Sequence, residues 1–242
     1  MRDYEKETIK RVAFIQEKLE ESNTTGIVFG NSGGKDAALV GILCKKACDN
    51  TVGIMMPCGT VVNYGSDKKD AEILAEFYNI ENRMLDLTKT AEAITSALDD
   101  TTNLTKSAKI NITPRLRMTA LYAVAASENR LVAGTGNRSE RHMGYFTKWG
   151  DGAFDFNPIA DLTVHEIREF LYYLDAPTQI ITKSPSAGLY EGQTDEEDMG
   201  ISYKAIDNYL LNGECSSEEL AIIERYHSIS SHKREMPAVF KR

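Results

Sequence analysis

Tryptophan occurs once, proline six times and cysteine four times in 242 residues. No stretch approaches the ~18 apolar residues that a membrane helix needs, and Met1 to Thr8 is charged, so neither a span nor a secretory leader is expected. Basic charge is also in deficit: 28 Lys and Arg stand against 36 Asp and Glu, a formal charge of −8, which counts against a protein coated in nucleic acid. These absences describe a cytoplasmic protein with no nucleic-acid and no membrane partner. Cys44, Cys48, Cys58 and Cys215 lack the paired spacing and the histidine pair of a zinc site, and disulfides are unexpected in a reducing compartment. Cys44 and Cys48, one helical turn apart, read as core thiols. What is present is ordinary: 42% apolar and 26% charged residues, in a length that suits one α/β domain with or without a helical appendage.

Ile9, Val12, Ala13, Ile15 and Leu19 mark one stripe of a covering helix from Asp3 to Asn23. Gly26 to Gly30 is an apolar run bounded by glycines, the pattern of a strand buried on both faces, and an apolar helix follows from Asp36 to Cys48. The alternation repeats with strand Thr51 to Met56, helix Ser66 to Tyr78, strand Asn82 to Asp86 and helix Thr88 to about Leu98. After the polar stretch Asp99 to Asn111, a helix starting near Thr113-Pro114 leads to strand Arg130 to Gly134. This order predicts an α/β fold, a doubly wound parallel sheet flanked by helices, with a helical C-terminal extension. Gly134 to Asn157 has five glycines and is too long and polar for a plain connection, which points to function. Thr163 with Glu166, and Ser216 with Glu219, form capping boxes, the first opening a helix that ends before Pro177. Thr182 to Gly200 reads as a mobile lid or loop, and helices near Ser202 to Leu210 and Ser216 to Ser230 lead to the basic tail His232-Lys233-Arg234. The whole chain, 1–242, reads as one domain: a Rossmann-like core over about 24–180, a mobile loop over about 182–200, and C-terminal helices and tail over about 202–242.

Gly30-Asn31-Ser32-Gly33-Gly34-Lys35-Asp36 lies between the first strand and its helix. A helix amino terminus offers unpaired N–H groups and a positive dipole end, and glycines let the backbone close around phosphate oxygens, so an anion belongs there. The Walker pattern fails because Phe29 and Asp36 occupy positions that need Gly and Ser or Thr, and the dinucleotide fingerprint fails on glycine spacing. Asp36 beside phosphate would be repulsive without a divalent cation between them, so the loop implies a magnesium-bridged pyrophosphate.

Ser32 to Asp36 resembles the loop of the ATP pyrophosphatases, which gives a superfamily only. The ordered blocks Pro114 to Met118, Gly134 to Glu140, Gly144 to Asp151, Asp155 to Ile159, Lys183 to Leu189, Gly192 to Glu196, Met199 to Tyr203 and His232 to Arg234 closely resemble the ammonia-dependent NAD synthetases. The resemblance covers essentially the whole chain. It implies an adenine nucleotide α-hydrolase-like fold and the ATP-dependent amidation of deamido-NAD by ammonia, through an adenylated intermediate, to NAD, AMP and pyrophosphate. By the same resemblance Gly30, Asn31, Ser32, Gly33, Gly34, Lys35, Asp36 and Ala37 hold the phosphates of ATP, the co-substrate, while Thr135 and Ser186 also contact it. Asp36 and Glu140 ligate Mg2+, and Arg115, Lys148, Asp155, His232 and Lys233 bind deamido-NAD. A homodimer is implied, its interface helping to form the dinucleotide site. Asp151 and Asp155 are candidates to orient ammonium or take its proton, and Asp36, Glu140 and Asp151 form the expected catalytic set. No protein nucleophile is demanded. With the covering helix starting almost at Met1, free ammonia or a separate partner is the expected nitrogen source.

Two positions depart from the family pattern. Ala37 replaces the usual Ser or Thr, and Val164 replaces a Lys expected near the phosphates, leaving Lys35 as the nearest substitute charge. These departures favour one alternative, a nucleotide-binding sensor with a decayed ATP site, which would bind without turnover. Another is an ATP pyrophosphatase acting on tRNA with Cys58 as thiol carrier, against which stand the acidic balance and the unpaired cysteines. His142, His165 and His227 have no ligand-like partner in the sequence and read as surface or core.

Overall fold

Alternate residues of the first strand face opposite layers, and this sets the architecture. The computed structural model describes residues 2–59, 64–183 and 194–240. In β1 (Gly26–Gly30), Ile27 and Phe29 pack on one side with Ile15 of α1 (Tyr4–Ser22) and Leu39 and Leu43 of α2 (Lys35–Ala47). Val28 packs on the other side with Met118, Leu121 and Ala125 of α6 (Ile112–Glu128). A period of two in a strand buried on both faces requires such two-sided cover. The doubly wound reading therefore holds, and Cys44 is a buried core thiol as expected.

Among the described residues the sheet has four parallel strands in the order β3-β2-β1-β4, with β2 at Thr51–Met55, β3 at Glu81–Met84 and β4 at Arg130–Ala133. The chain winds outward from β1 through β2 to β3, then returns to place β4 on the open side of β1. The winding direction reverses between β1 and β4, and in open α/β sheets the crevice at the carboxyl ends of such strands receives the ligand. Both loops of interest, Gly30 to Asp36 and Gly134 to Glu140, leave the sheet there.

Between β2 and α6 lie α3 (Ser66–Phe77), α4 (Thr88–Asp99) and α5 (Lys106–Ile110). Two local differences from the sequence reading have simple causes. β3 ends at Met84 rather than Asp86, because Asp86 turns to accept the Thr88 N–H (2.8 Å) at the start of α4. The polar stretch 99–111 contains α5, which Thr105 caps by accepting the Ala108 N–H. Next come α7 (Arg138–Met143), α8 (Val164–Tyr173) and α9 (Thr178–Thr182). Of the loop read over 182–200, residues 184–193 lie outside the described residues, and α10 (Asp195–Met199) occupies its end. α11 (Tyr203–Asn212), α12 (Ser217–Ile229) and α13 (Ser231–Arg234) complete the extension. Met199, Tyr203, Ile206 and Ile223 pack against Met143 and Val164 in an apolar cluster of their own. No helix among the described residues is long and apolar enough to cross a membrane.

The C-terminal end of α7 is clasped by α13. Gly144 caps α7 at φ +65°, Lys233 Nζ donates to the Gly144 and Phe146 carbonyls (2.8 Å each), and Arg234 donates to those of Arg141 and His142. A cation at the last carbonyls of a helix is favourably placed. A Cβ on Gly144 would stand 2.1 Å from Ser230. Gly144→Ala combines that overlap with a left-handed backbone and is expected to cost about 2–4 kcal/mol in urea denaturation.

Candidate active site

Gly34 starts α2 as its N-cap with no side-chain cap, so the backbone N–H groups of the first turn face outward, as anion binding requires. The loop before it is held from below. Asn31, 3% exposed, accepts the Gly33 N–H and donates to the Ala71 carbonyl (3.1 Å) and to Asn82 Oδ1. Gly33 has φ +71°, and a Cβ there would meet the Asp67 carbonyl oxygen at 2.2 Å, so no other residue fits the turn without displacing α3. Lys183 completes the support, donating to Asp67 (2.8 Å), Asp70 (2.7 Å) and the Gly33 carbonyl.

Asp36 and Glu140 meet across the switch point. Asn137 joins them: its side-chain amide donates to Asp36 Oδ1 (3.0 Å), and its carbonyl oxygen accepts the Glu140 N–H (2.9 Å). Glu140 Oε2 in turn accepts the Asn137 N–H (3.0 Å), so the acid expected to bind a cation also closes a capping box at the start of α7. Lys35 Nζ lies 2.8 Å from Asp36 Oδ2, with the Tyr203 ring 6.0 Å away. Burial works against its charge, but Asp36 and Glu140 outweigh burial and raise the Lys35 pKa. Glu140 is enclosed and stands beside Asp36, and both effects drive its pKa well above the ordinary carboxylate value despite the opposing pull of Lys35. The site therefore demands positive charge. Two carboxylates completed by substrate phosphates are a donor set Mg2+ takes. Asp36 and Glu140 fit the ion.

One cavity of about 780 Å³ runs from this end to a second acid. Its walls include Gly30, Asn31, Ser32, Gly34, Lys35, Asp36, Ala37, Thr135 and Glu140 together with Asp151 and Lys233. Asp151 lines the cavity and is exposed to solvent. Desolvation by the protein atoms packed around its carboxylate raises its pKa, against the Thr147 N–H it accepts (2.9 Å) and the charges of Lys233 and Arg117. Arg117 lines the same cavity, its Nε donating to the Met56 carbonyl (3.0 Å).

Among the described residues, Gly33, Arg115, Lys148, Asp155 and His232 of the expected set are not in that wall. Arg115 donates to the Lys148 carbonyl (3.3 Å), and Lys148 Nζ donates to the His232 carbonyl, which makes an exposed chain beside the cavity. Asp155 accepts from Tyr122 Oη (3.1 Å) and the Val132 N–H (2.7 Å), commitments that also fix the edge of β4. Ser186 lies outside the described residues. Val164 is buried in the C-terminal apolar cluster and is not in the cavity wall, which accounts for an apolar residue there. Asn137, Lys183, Tyr203 and Asp195, whose carboxylate accepts from Tyr203 Oη (3.1 Å), were not singled out from the sequence. Only Asn137 left a readable signal, an Asn three residues before Glu.

The NAD synthase family model matches residues 7–237. The NH(3)-dependent NAD(+) synthetase of Carboxydothermus hydrogenoformans is 47% identical over 240 residues, 98% of this chain and 98% of that protein. Among solved structures, the NMN synthetase of Francisella tularensis superposes with a TM-score of 0.94 at 35% identity, and the NH3-dependent NAD synthetase of Campylobacter jejuni with 0.79 at 30%, each over the full length of both chains.

Asn137→Ala removes the N-cap and the amide held against Asp36 together. Chemical denaturation is expected to show a loss of about 1–2 kcal/mol.

Proposed function

The chain belongs to the NAD synthase family, and on that premise we propose that it uses ATP to convert the nicotinate carboxylate of deamido-NAD to the amide, with ammonia as donor and AMP and pyrophosphate as co-products. The observation that carries this reading is the convergence of Asp36, Glu140 and Lys35 at the head of α2, in the wall of a cavity that continues to Asp151.

A carboxylate is a poor acyl donor because oxide is a poor leaving group. In the first step one carboxylate oxygen bonds to the α-phosphorus as the bond from that phosphorus to the departing pyrophosphate oxygen breaks. In the second, ammonia attacks the acyl carbon, AMP leaves with the carboxylate oxygen, and the nitrogen gives up one proton. The first-turn N–H groups of α2 and the ammonium of Lys35 hold the phosphates, and alignment supplies much of the rate. Mg2+, when bound by Asp36 and Glu140, neutralises charge on the departing pyrophosphate. Asp151 takes the nitrogen's proton, a role its raised pKa suits. Thr135 and Ser186 complete the ATP site. Lys233 meets the pyridine nucleotide inside the cavity, while Arg115, Lys148, Asp155 and His232 receive the remainder of the dinucleotide, with a second copy of the chain in a cytoplasmic homodimer.

A second reading has a specific observation behind it. The neighbour with a TM-score of 0.94 is an NMN synthetase, which makes nicotinate mononucleotide the competing acid. Incubation with ATP, Mg2+ and ammonium is expected to amidate the dinucleotide with equimolar AMP, and faster than glutamine supports. A higher kcat/KM for the mononucleotide selects the second reading, and recovery of neither amide nor AMP overturns both.

Asp151→Asn tests the proton acceptor. Asp151 acts ionised, so at constant free ammonia the wild-type rate is expected to rise with pH through the raised pKa of Asp151. The variant is expected to lose that limb and at least about tenfold in kcat, and an unchanged profile would exclude the role.

A further inference from the structure

α7 is only six residues long, yet it carries Glu140, and its first residues are tethered in turn. Arg138 donates through its N–H to the Leu162 carbonyl (2.8 Å) and through Nη2 to the Leu210 carbonyl (3.0 Å). Ser139, fully buried, donates from Oγ to Asp207 Oδ1 at 2.5 Å, the length of a charge-assisted bond. Asp207 lies on α11, is 4% exposed and takes no part in the cavity wall. Its second oxygen accepts the His165 N–H (2.7 Å) in the first turn of α8. A buried carboxylate is costly unless every oxygen is satisfied, and here a hydroxyl and a helix amino terminus satisfy it without a cation. The arrangement fastens two helix starts to one residue, and one of those starts bears the cation-holding acid.

We propose that Asp207 is a positioning residue: through Ser139 it fixes the rotation of α7 about its axis and so aims the Glu140 carboxylate at Asp36. Rotating α7 moves Ser139 and Glu140 together, because they are neighbours on one short helix. Removing the tie lets Glu140 keep its capping bond to Asn137 while its outward oxygen loses its direction. The inference rests on the reading of Asp36 and Glu140 as the divalent-cation pair, and it adds a residue from the C-terminal extension to what that pair requires.

The test compares ATP binding by calorimetry with Mn2+ and with a chelator, no pyridine substrate being present. The ratio of the two affinities measures the metal's contribution to binding, separately from turnover. Ser139→Ala is expected to reduce that ratio on the order of tenfold, the low end for partners of metal ligands, and to leave metal-free ATP affinity unchanged. Asp207→Ala should do the same, whereas Asp207→Asn, whose amide can accept from His165 and donate to Ser139, should retain most of the ratio. If Asp207→Ala does not fold, Ser139→Ala decides alone. A wild-type ratio in Ser139→Ala, or an equal loss of metal-free affinity, overturns the inference and leaves the cation pair standing. No enhancement by Mn2+ in the wild type overturns the cation pair and the inference with it.

Discussion

Two carboxylates that face each other across a sheet crevice dominate this molecule. Asp36 and Glu140 stand in the first turns of the helices that follow adjacent parallel strands, and burial with their mutual repulsion raises the Glu140 pKa, a tension that positive charge relieves. Lys35 provides that charge within the chain. The surrounding residues hold the acids in place despite their repulsion: Asn137 bonds to both, Asn31 and Lys183 support the loop beneath Asp36, and the extension secures α7. Such an arrangement concentrates the electrostatic tension where a metal nucleotide can discharge it, which is the organisation expected of a phosphate-transfer site.

Much of the fold was legible because local pattern and burial agree. Gly26 to Gly30 is apolar throughout because both faces are covered, and the Thr163 and Ser216 capping boxes occur where the sequence puts them. The glycine-rich turn was legible for the same reason, since Gly33 has room for nothing larger. β3 was harder, because its residues are half exposed and Asp86 serves as a cap. The short α5 was hidden in a polar stretch whose only clear signal is Thr105.

The site was less legible wherever a side chain's task depends on a distant partner. Asp155 serves backbone and Tyr122, and Lys148 serves a carbonyl 84 positions away. Nothing local in the sequence carries those pairings. Asp207 and Ser139, 68 positions apart, are a similar case. Val164 illustrates the reverse: the missing lysine looked like a lost charge, but its neighbours are Met143, Met199 and Ile206, a setting that favours a hydrocarbon and disfavours an ammonium.

The order of the strands bears on how the molecule assembles. Among the described residues β4 is the last strand made, yet it docks beside the first, so Asn137 cannot reach Asp36, 101 positions earlier, until the chain between them has been synthesised and folded back. Until then β1 presents an unpaired edge, and the cavity lacks the part of its wall that Ala133 to Glu140 supply. The cavity is therefore completed late, as a property of topological closure.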